Sequence, residues 1–204
     1  MFKSIRFYAV IMVSFCHSKG ISNGYKNVKW GESKENVEMK LKLGSGRLMQ
    51  NGKNDTYEHV NEMGDITQIT YHNGNEFRAI YIEPKITYAA LDKFVASFKE
   101  KYGDPLFDVP YIEDLSKLSH RILTWKSKQT EIALDYVEKA AYCNELRKSS
   151  GEFVDCNSID VYKELLPVCV LYESLKIKIL IDIERKKDQT GITDKTLNKY
   201  KDEF

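Results

Sequence analysis

The period of apolar and polar positions changes along this chain in a regular order, and each change marks an element. In "WGESKENVEMKLKLG", Val37 and Leu41 stand one helical turn apart, Ser33 is placed to cap the start and Gly44 to stop the end. That spacing predicts a short amphipathic helix. After a polar, glycine-containing loop, "TYEHVNEM" and "DITQITYH" alternate or nearly alternate, and the turn "NGN" at 73–75 leads into "EFRAIYIEP", which predicts a meander of three strands. The order then recurs. "TYAALDKFVASFKEKYGDP" places Leu91, Phe94, Val95, Phe98 and Tyr102 at helical spacing, with Thr87 as its candidate cap and Gly103 and Pro105 as its stop. Strands are expected at "RILTWK", at "TEIALDYV" after the turn "SKQ", and, beyond an insertion, at "VCVLYES" and "LKIKILIDIE".

These blocks define an α+β fold of two helix-plus-antiparallel-meander units, an αβββ repeat, forming one compact domain over residues 28–184. The units are 28–84 and 85–184, the second carrying an insertion at 138–166. A lone meander leaves one apolar face uncovered, and its helix covers it. Residues 185–204 mix charges of both signs with few apolar positions, so a polar C-terminal tail is expected there.

The first twenty residues, "MFKSIRFYAVIMVSFCHSKG", follow a different pattern. Lys3 and Arg6 precede an apolar run that ends near Cys16, whereas a helix spanning a bilayer needs about 20 apolar residues. A cationic start with a short apolar core is the layout of a secretory signal. "VSFC" resembles a bacterial lipoprotein box, in which cleavage precedes a cysteine that becomes lipid-modified; Phe15 departs from the small residue usual there, although spirochaete boxes are looser. The expectation is a lipoprotein signal at 1–15, lipidation of Cys16 and a flexible tether at 16–27, with an ordinary secretory signal and a native buried strand as the alternatives.

The other cysteines bear on the same question. Cys143 and Cys156 bracket a polar loop, and a disulfide between them would contribute about 3 kcal/mol of loop entropy outside a reducing compartment. Cys156 with Cys169 is the competing bridge; unbridged, Cys169 reads as a buried thiol in "PVCVLY".

Charge and motifs narrow the chemistry. Lys plus Arg is 31 against Asp plus Glu 30, a net charge of +1, so no field favours nucleic acid as a partner. His17, His59, His72 and His120 are scattered and no close cysteine pair accompanies them, so no metal site is expected. The glycines of "LGSG" and "GRLMQNG" lack phosphate-loop spacing and read as a plain loop, and no Gly-x-Ser-x-Gly elbow occurs. The pairs Glu113 with Asp114 and Asp182 with Glu184 read as a solvated turn and the outer side of a strand. Trp30 reads as a lid over the helix entry and Trp125 as a half-buried strand residue. The insertion is the feature that asks for a function: "SIDVYKELLP" suggests a short helix over 158–166, and Tyr142, Phe153, Val154 and Tyr162 are its candidate binding residues, the alternative being a disulfide-pinned lid that completes the core.

The stretches "VKWGESKENV", "KYGDP" and "LTWKSKQTEIALDYV" together resemble a loosely defined family of small secreted proteins and lipoproteins of bacterial cell envelopes, and more weakly the lipoproteins that assist outer-membrane protein assembly. The resemblance covers scattered pieces of 28–137 and implies an envelope protein with a binding or scaffolding role; it supplies no catalytic residue and no cofactor. The expected protein is therefore a tethered, non-catalytic module on the bacterial envelope, held to the outer membrane by lipid, for a protein partner or an extracellular ligand. A periplasmic or secreted soluble form, an assembly accessory and an enzyme of unrecognised type are the alternatives.

Overall fold

A computed structural model describes residues 21–43, 46–51, 54–74, 76–114, 117–150, 155, 156, 158, 161 and 163–190. The signal and residues 16–20 of the tether, Cys16 among them, lie outside these, as do Gly44, Phe153, Val154, Tyr162 and the last 14 residues of the tail. The fold is α+β, with four helices among the described residues around an eight-stranded antiparallel sheet. No described helix is long and apolar enough to cross a membrane.

The chain opens with a two-stranded pair, β1 (Gly24–Tyr25) and β2 (Val28–Lys29), followed by helix α1 (Lys34–Leu41). Four strands succeed it: β3 (Arg47–Asn51), β4 (Asn54–Val60), β5 (Ile66–His72) and β6 (Glu76–Glu83). A short strand, β7 (Ile86–Thr87), leads into helix α2 (Leu91–Tyr102) and then β8 (Phe107–Ile112), β9 (Ser119–Lys126) and β10 (Thr130–Val137). The insertion supplies helix α3 (Lys139–Ser150) and β11 (Leu165–Leu166), which pairs with β7; β12 (Val168–Ser174) and helix α4 (Leu175–Thr190) complete the chain. Spatial order across the main sheet is β3-β4-β5-β6-β12-β10-β9-β8, so the last strands of the two halves meet at its centre.

Local chemistry explains the junctions. Ser33 caps α1, its Oγ accepting from the Asn36 amide, while Lys42 with φ 53° ends the helix, before Gly44. Asn73 and Gly74 both take positive φ, the geometry a tight hairpin between twisted strands demands. The Trp-Gly pair has a similar local cause. Gly31 at φ 84° lets its amide donate to the Phe77 carbonyl while the Phe77 amide donates to Glu32, so the entry to α1 is tied to the start of β6. The Trp30 indole lies 4.8 Å from the Phe77 ring and donates to Thr130 Oγ1 at 2.8 Å.

Four expectations are corrected. "LKIKILIDIE" forms the helix α4 instead of a strand: Ser174 Oγ accepts from the Ile177 amide as an N-cap, and Ile177 and Ile181, one turn apart, are both buried. Its alternation satisfied both periods, and the cap together with the lack of a further hairpin turn decided for helix. Asp182 and Glu184 consequently sit on a helix. Strands β3 and β8 were not foreseen, since "GRLMQNG" was read as loop; both are sheet edges, and β8 carries Pro110, which an edge strand tolerates. Helix α2 begins after Ala90 with no side-chain cap, Thr87 belonging to β7. Within the insertion, Leu165 and Leu166 are strand and not the end of a short helix.

One face of the sheet is the core. Ile69, Tyr71, Ile80, Leu123, Trp125, Ile132, Leu134 and Val170 share it and are essentially sealed from solvent. Val37 of α1, Leu91 and Tyr102 of α2, and Tyr142 and Leu146 of α3 pack on that same cluster. Trp125 ties the layers together: its ring stacks against Phe98 and Tyr102 at 5.9 and 6.1 Å, and its indole N–H donates to the Gly103 carbonyl at 2.9 Å, where α2 ends. Trp125→Phe is expected to lower stability by about 2 kcal/mol, from the lost hydrogen bond plus a small cavity, measured as the urea midpoint. Ser174→Ala should cost about 1 kcal/mol by uncapping α4, with helical circular dichroism decreasing near the midpoint before the sheet signal does.

Candidate functional site

The opposite face of the sheet carries none of α1, α2 or α3, and the ladder register lays out its side chains in rows. Nearest α4, the row reads Thr56, Thr70, Ala79, Glu173, Glu131 and Lys126. The next reads Glu58, Gln68, Tyr81, Leu171, Ala133, Thr124 and Phe107, and the third contains Cys169, Asp135, Ile122 and Val109, with Val60 and Ile66 on the first half of the sheet. Tyr81, Leu171, Ala133, Thr124, Cys169 and Ile122 are half-buried, and Phe107 and Val109 are each 51% exposed. On these strands the two faces thus differ sharply in cover. The central strip pairs small residues, Ala133 and Thr124, with larger ones at its sides, Tyr81 and Phe107.

Electrostatics divide this face. In the row nearest α4, Arg78 Nη2 meets Glu173 Oε1 at 2.7 Å, Lys178 Nζ lies 3.1 Å from Glu173 and 3.6 Å from Glu131, and Lys126 Nζ lies 2.8 Å from Glu131. Arg78 is the extra residue of a bulge opposite Thr70 and Tyr71. Burial alone would lower the Lys178 ammonium, but the Glu173 and Glu131 carboxylates outweigh it and raise its pKa. That row neutralises itself, as the buried Glu173 requires.

The row toward the other end is built differently. Tyr81 donates to Glu83 at 2.8 Å, Tyr111 donates to Asp135 at 2.6 Å, and His120 Nδ1 lies 3.0 Å from the other Asp135 oxygen. Burial raises both tyrosines far above the ordinary phenol range, and the hydrogen-bonded carboxylates add to it, so each stays a neutral donor. Cys169, paired with Asp135 across β12 and β10, is a free thiol pushed up to about 11, first by burial and then by the Asp135 charge. A thiol held neutral in this way is a poor nucleophile. His120 does not activate it, because Nδ1 is engaged by Asp135 and Nε2 lies 3.7 Å from Glu113.

A second concavity lies at the end of the sheet. A cleft of about 820 Å³ is lined by Trp30, His72, Glu76, Lys128, Ile177 and Glu184, among others. His72 is buried, with Nε2 3.8 Å from Glu184, beyond hydrogen-bond reach. The hydroxyl lining the cleft, Ser174, is committed to capping α4 and is fully buried. Among the described residues lining the cleft, no nucleophile is joined to a base.

The sequence-derived candidates distribute as follows. Cys143 and Cys156 form a disulfide, with Cα atoms 5.9 Å apart, anchoring the C-terminal part of the insertion to α3 and leaving Cys169 free. Tyr142 turns inward, half-buried, its ring 6.4 Å from that of Tyr88. The structure gives no grouping of Tyr142 with Phe153, Val154 and Tyr162, which lie outside the described residues. Sequence reasoning missed Tyr81, Tyr111, His120 and Asp135. The alternation of "ALDYV" marks Asp135 as outward-facing, but only the strand order brings Tyr111 and His120 to it.

The class is an α+β protein with an eight-stranded antiparallel sheet. Comparison with protein-family models, with curated proteins and with solved structures gives no match to this chain.

The thiol offers a direct check of this geometry. Alkylation of Cys169 in the folded protein should rise with a midpoint near pH 11, against the ordinary 9.0 once the chain is denatured. Because the native state keeps a proton that the unfolded state has lost, stability falls as pH rises from 9 toward 11. Reaction at pH 8 as fast as in urea would overturn the assignment.

Proposed function

We propose that this chain is a non-catalytic binding module of a bacterial envelope, tethered by lipid on Cys16, that engages a folded protein through the open face of its sheet. The observation that carries the reading is the contrast between the two faces. One is sealed by three helices, and the other presents Tyr81, Leu171, Ile122, Val109 and Phe107 beside fixed polar groups. Aromatic and aliphatic anchors among oriented hydrogen-bonding groups are what a protein interface needs. The disulfide suits an oxidising compartment, and the cationic start and "VSFC" at the N-terminus support the tether.

We also read residues 28–84 and 85–184 as two copies of one unit, now helix plus four strands, joined through β6 and β12. The support is the mirrored strand order and the matching use of tryptophan and glycine at the helix ends. Assembly of outer-membrane proteins stays as the narrower version of the same binding role.

Two experiments test the proposal. Labelled palmitate should enter the native chain and not Cys16→Ala, and membrane association should vanish with it; a soluble species without label removes the tether. A photo-crosslinker at Thr124, in the middle of the open face, should give one discrete protein adduct that Ala133→Arg abolishes without lowering the melting temperature. The same group at Lys93 on α2 should give none. Equal adducts from both positions count against the open face.

A further inference from the structure

Resting on the docking reading above, the geometry points to the partner's chemistry: the open face receives a protruding basic side chain, arginine or lysine, of a folded protein, between Glu83 and Asp135. The argument begins with the unequal distribution of charge over this face. Near α4 every carboxylate has a cation, through Arg78, Lys178 and Lys126. Among the described residues, neither Glu83 nor Asp135 has a lysine or arginine partner. Their acceptors are met by two phenols and an imidazole, and a phenol orients a carboxylate without cancelling its charge.

Spacing agrees with this occupant. Cys169 is paired with Asp135, and continuing the β6–β12 ladder by one step past Ile82 and Val170 brings Glu83 beside Cys169. The two carboxylate positions therefore lie two strands apart, about 10 Å between backbones, with a small thiol as the floor. A guanidinium, with donors on both edges, fits between two such acceptors. Half-buried Leu171, two positions along β12 on the same face, borders the floor and would cover an alkyl stem.

A second observation concerns the imidazole beside Asp135. His120 is 7% exposed, and among the described residues its Nε2 has no hydrogen-bond partner although it is buried. Its other nitrogen is fixed on Asp135 and Nε2 faces the Glu113 carboxylate at 3.7 Å, so the ring stands between two carboxylates and this end of the face carries a further acidic group. Among the described residues no three His, Cys, Asp or Glu side chains converge at metal-binding geometry, which favours an organic cation over a metal ion. A face about 30 Å across suits a protein surface better than a free amine.

The test uses the isotope-labelled full chain in two-dimensional nuclear magnetic resonance. The probes are two disulfide-closed loop peptides that differ only at the tip, Tyr-Arg-Leu against Tyr-Glu-Leu. The arginine loop should shift the amides of Tyr81, Glu83, Cys169, Asp135 and Ile122, and bind about tenfold more tightly than the glutamate loop, the size of one charge-assisted pair. Glu83→Gln, which keeps an acceptor for Tyr81, should weaken the arginine loop about fivefold, and Asp135→Asn should do the same if its melting curve shows it folded.

Equal binding of both loops at these residues would overturn the basic-partner inference while leaving the open face as a docking surface. Shifts confined to the cleft around Trp30 and His72 would overturn the inference and count against the open face as well. Shifts from neither loop would overturn the inference alone, since the crosslink from Thr124 reports on docking separately.

Discussion

Everything in this structure hangs on the pairing of β6 with β12. The register Ile82 with Val170, Tyr81 with Leu171, Ile80 with Tyr172 and Ala79 with Glu173 joins two four-stranded halves that are far apart in the sequence. Each half alone has two exposed edges, and the first has a single helix, a poor ratio of buried to solvated area. Joined, the halves share one core in which Ile80 and Tyr172 are buried at the seam, while the same two strands put Tyr81, Leu171 and Glu173 on the other face. Core and candidate interface are thus alternate residues of the same two strands. A one-residue slip here would exchange them, so register is under strong constraint.

The sequence showed elements more readily than it showed their boundaries. Helices α1 and α2 and strands β4, β5, β6, β9, β10 and β12 were legible because each carries a strict period and a local stop such as Asn73–Gly74 or Gly103. Edge strands were not. Strand β8 leaves Phe107 and Val109 about half exposed and contains Pro110, so its pattern lacks the alternation that burial of one face produces. Helix α4 failed for another reason: in "LKIKILIDIE" the apolar residues satisfy both periods, and a serine cap supplied by the preceding strand settles the choice.

The candidate site was less legible still, because its parts are assembled by topology. Asp135, His120 and Tyr111 come from three successive strands whose pairing, Asp135 opposite Ile122 and His120 opposite Tyr111, makes the contacts diagonal. Cys169 and Tyr81 arrive from the seam. The insertion, whose length had suggested a binding surface, turns Tyr142 inward and is pinned to α3 by its disulfide. Length marked a departure from regular structure, and burial shows that at least its first helix completes the core.

The contrast between the two charged rows of the open face follows from how each carboxylate is desolvated. Glu173 is buried where α4 leaves the sheet, and a buried carboxylate without cations would be costly; Arg78, displaced outward by the bulge, and Lys178, one turn into α4, meet that need from within the chain. Asp135 keeps 23% of its side chain in contact with solvent, so phenol and imidazole donors suffice and no lysine or arginine is required. A partner that covered this face would remove that water. The ladder would then already be neutral, whereas Asp135 and Glu83 would need a positive charge from outside, and a surface lacking one would dock only at the cost of stranding two carboxylates. Specificity for a basic partner is in this way a consequence of where the fold places its own lysines and arginines.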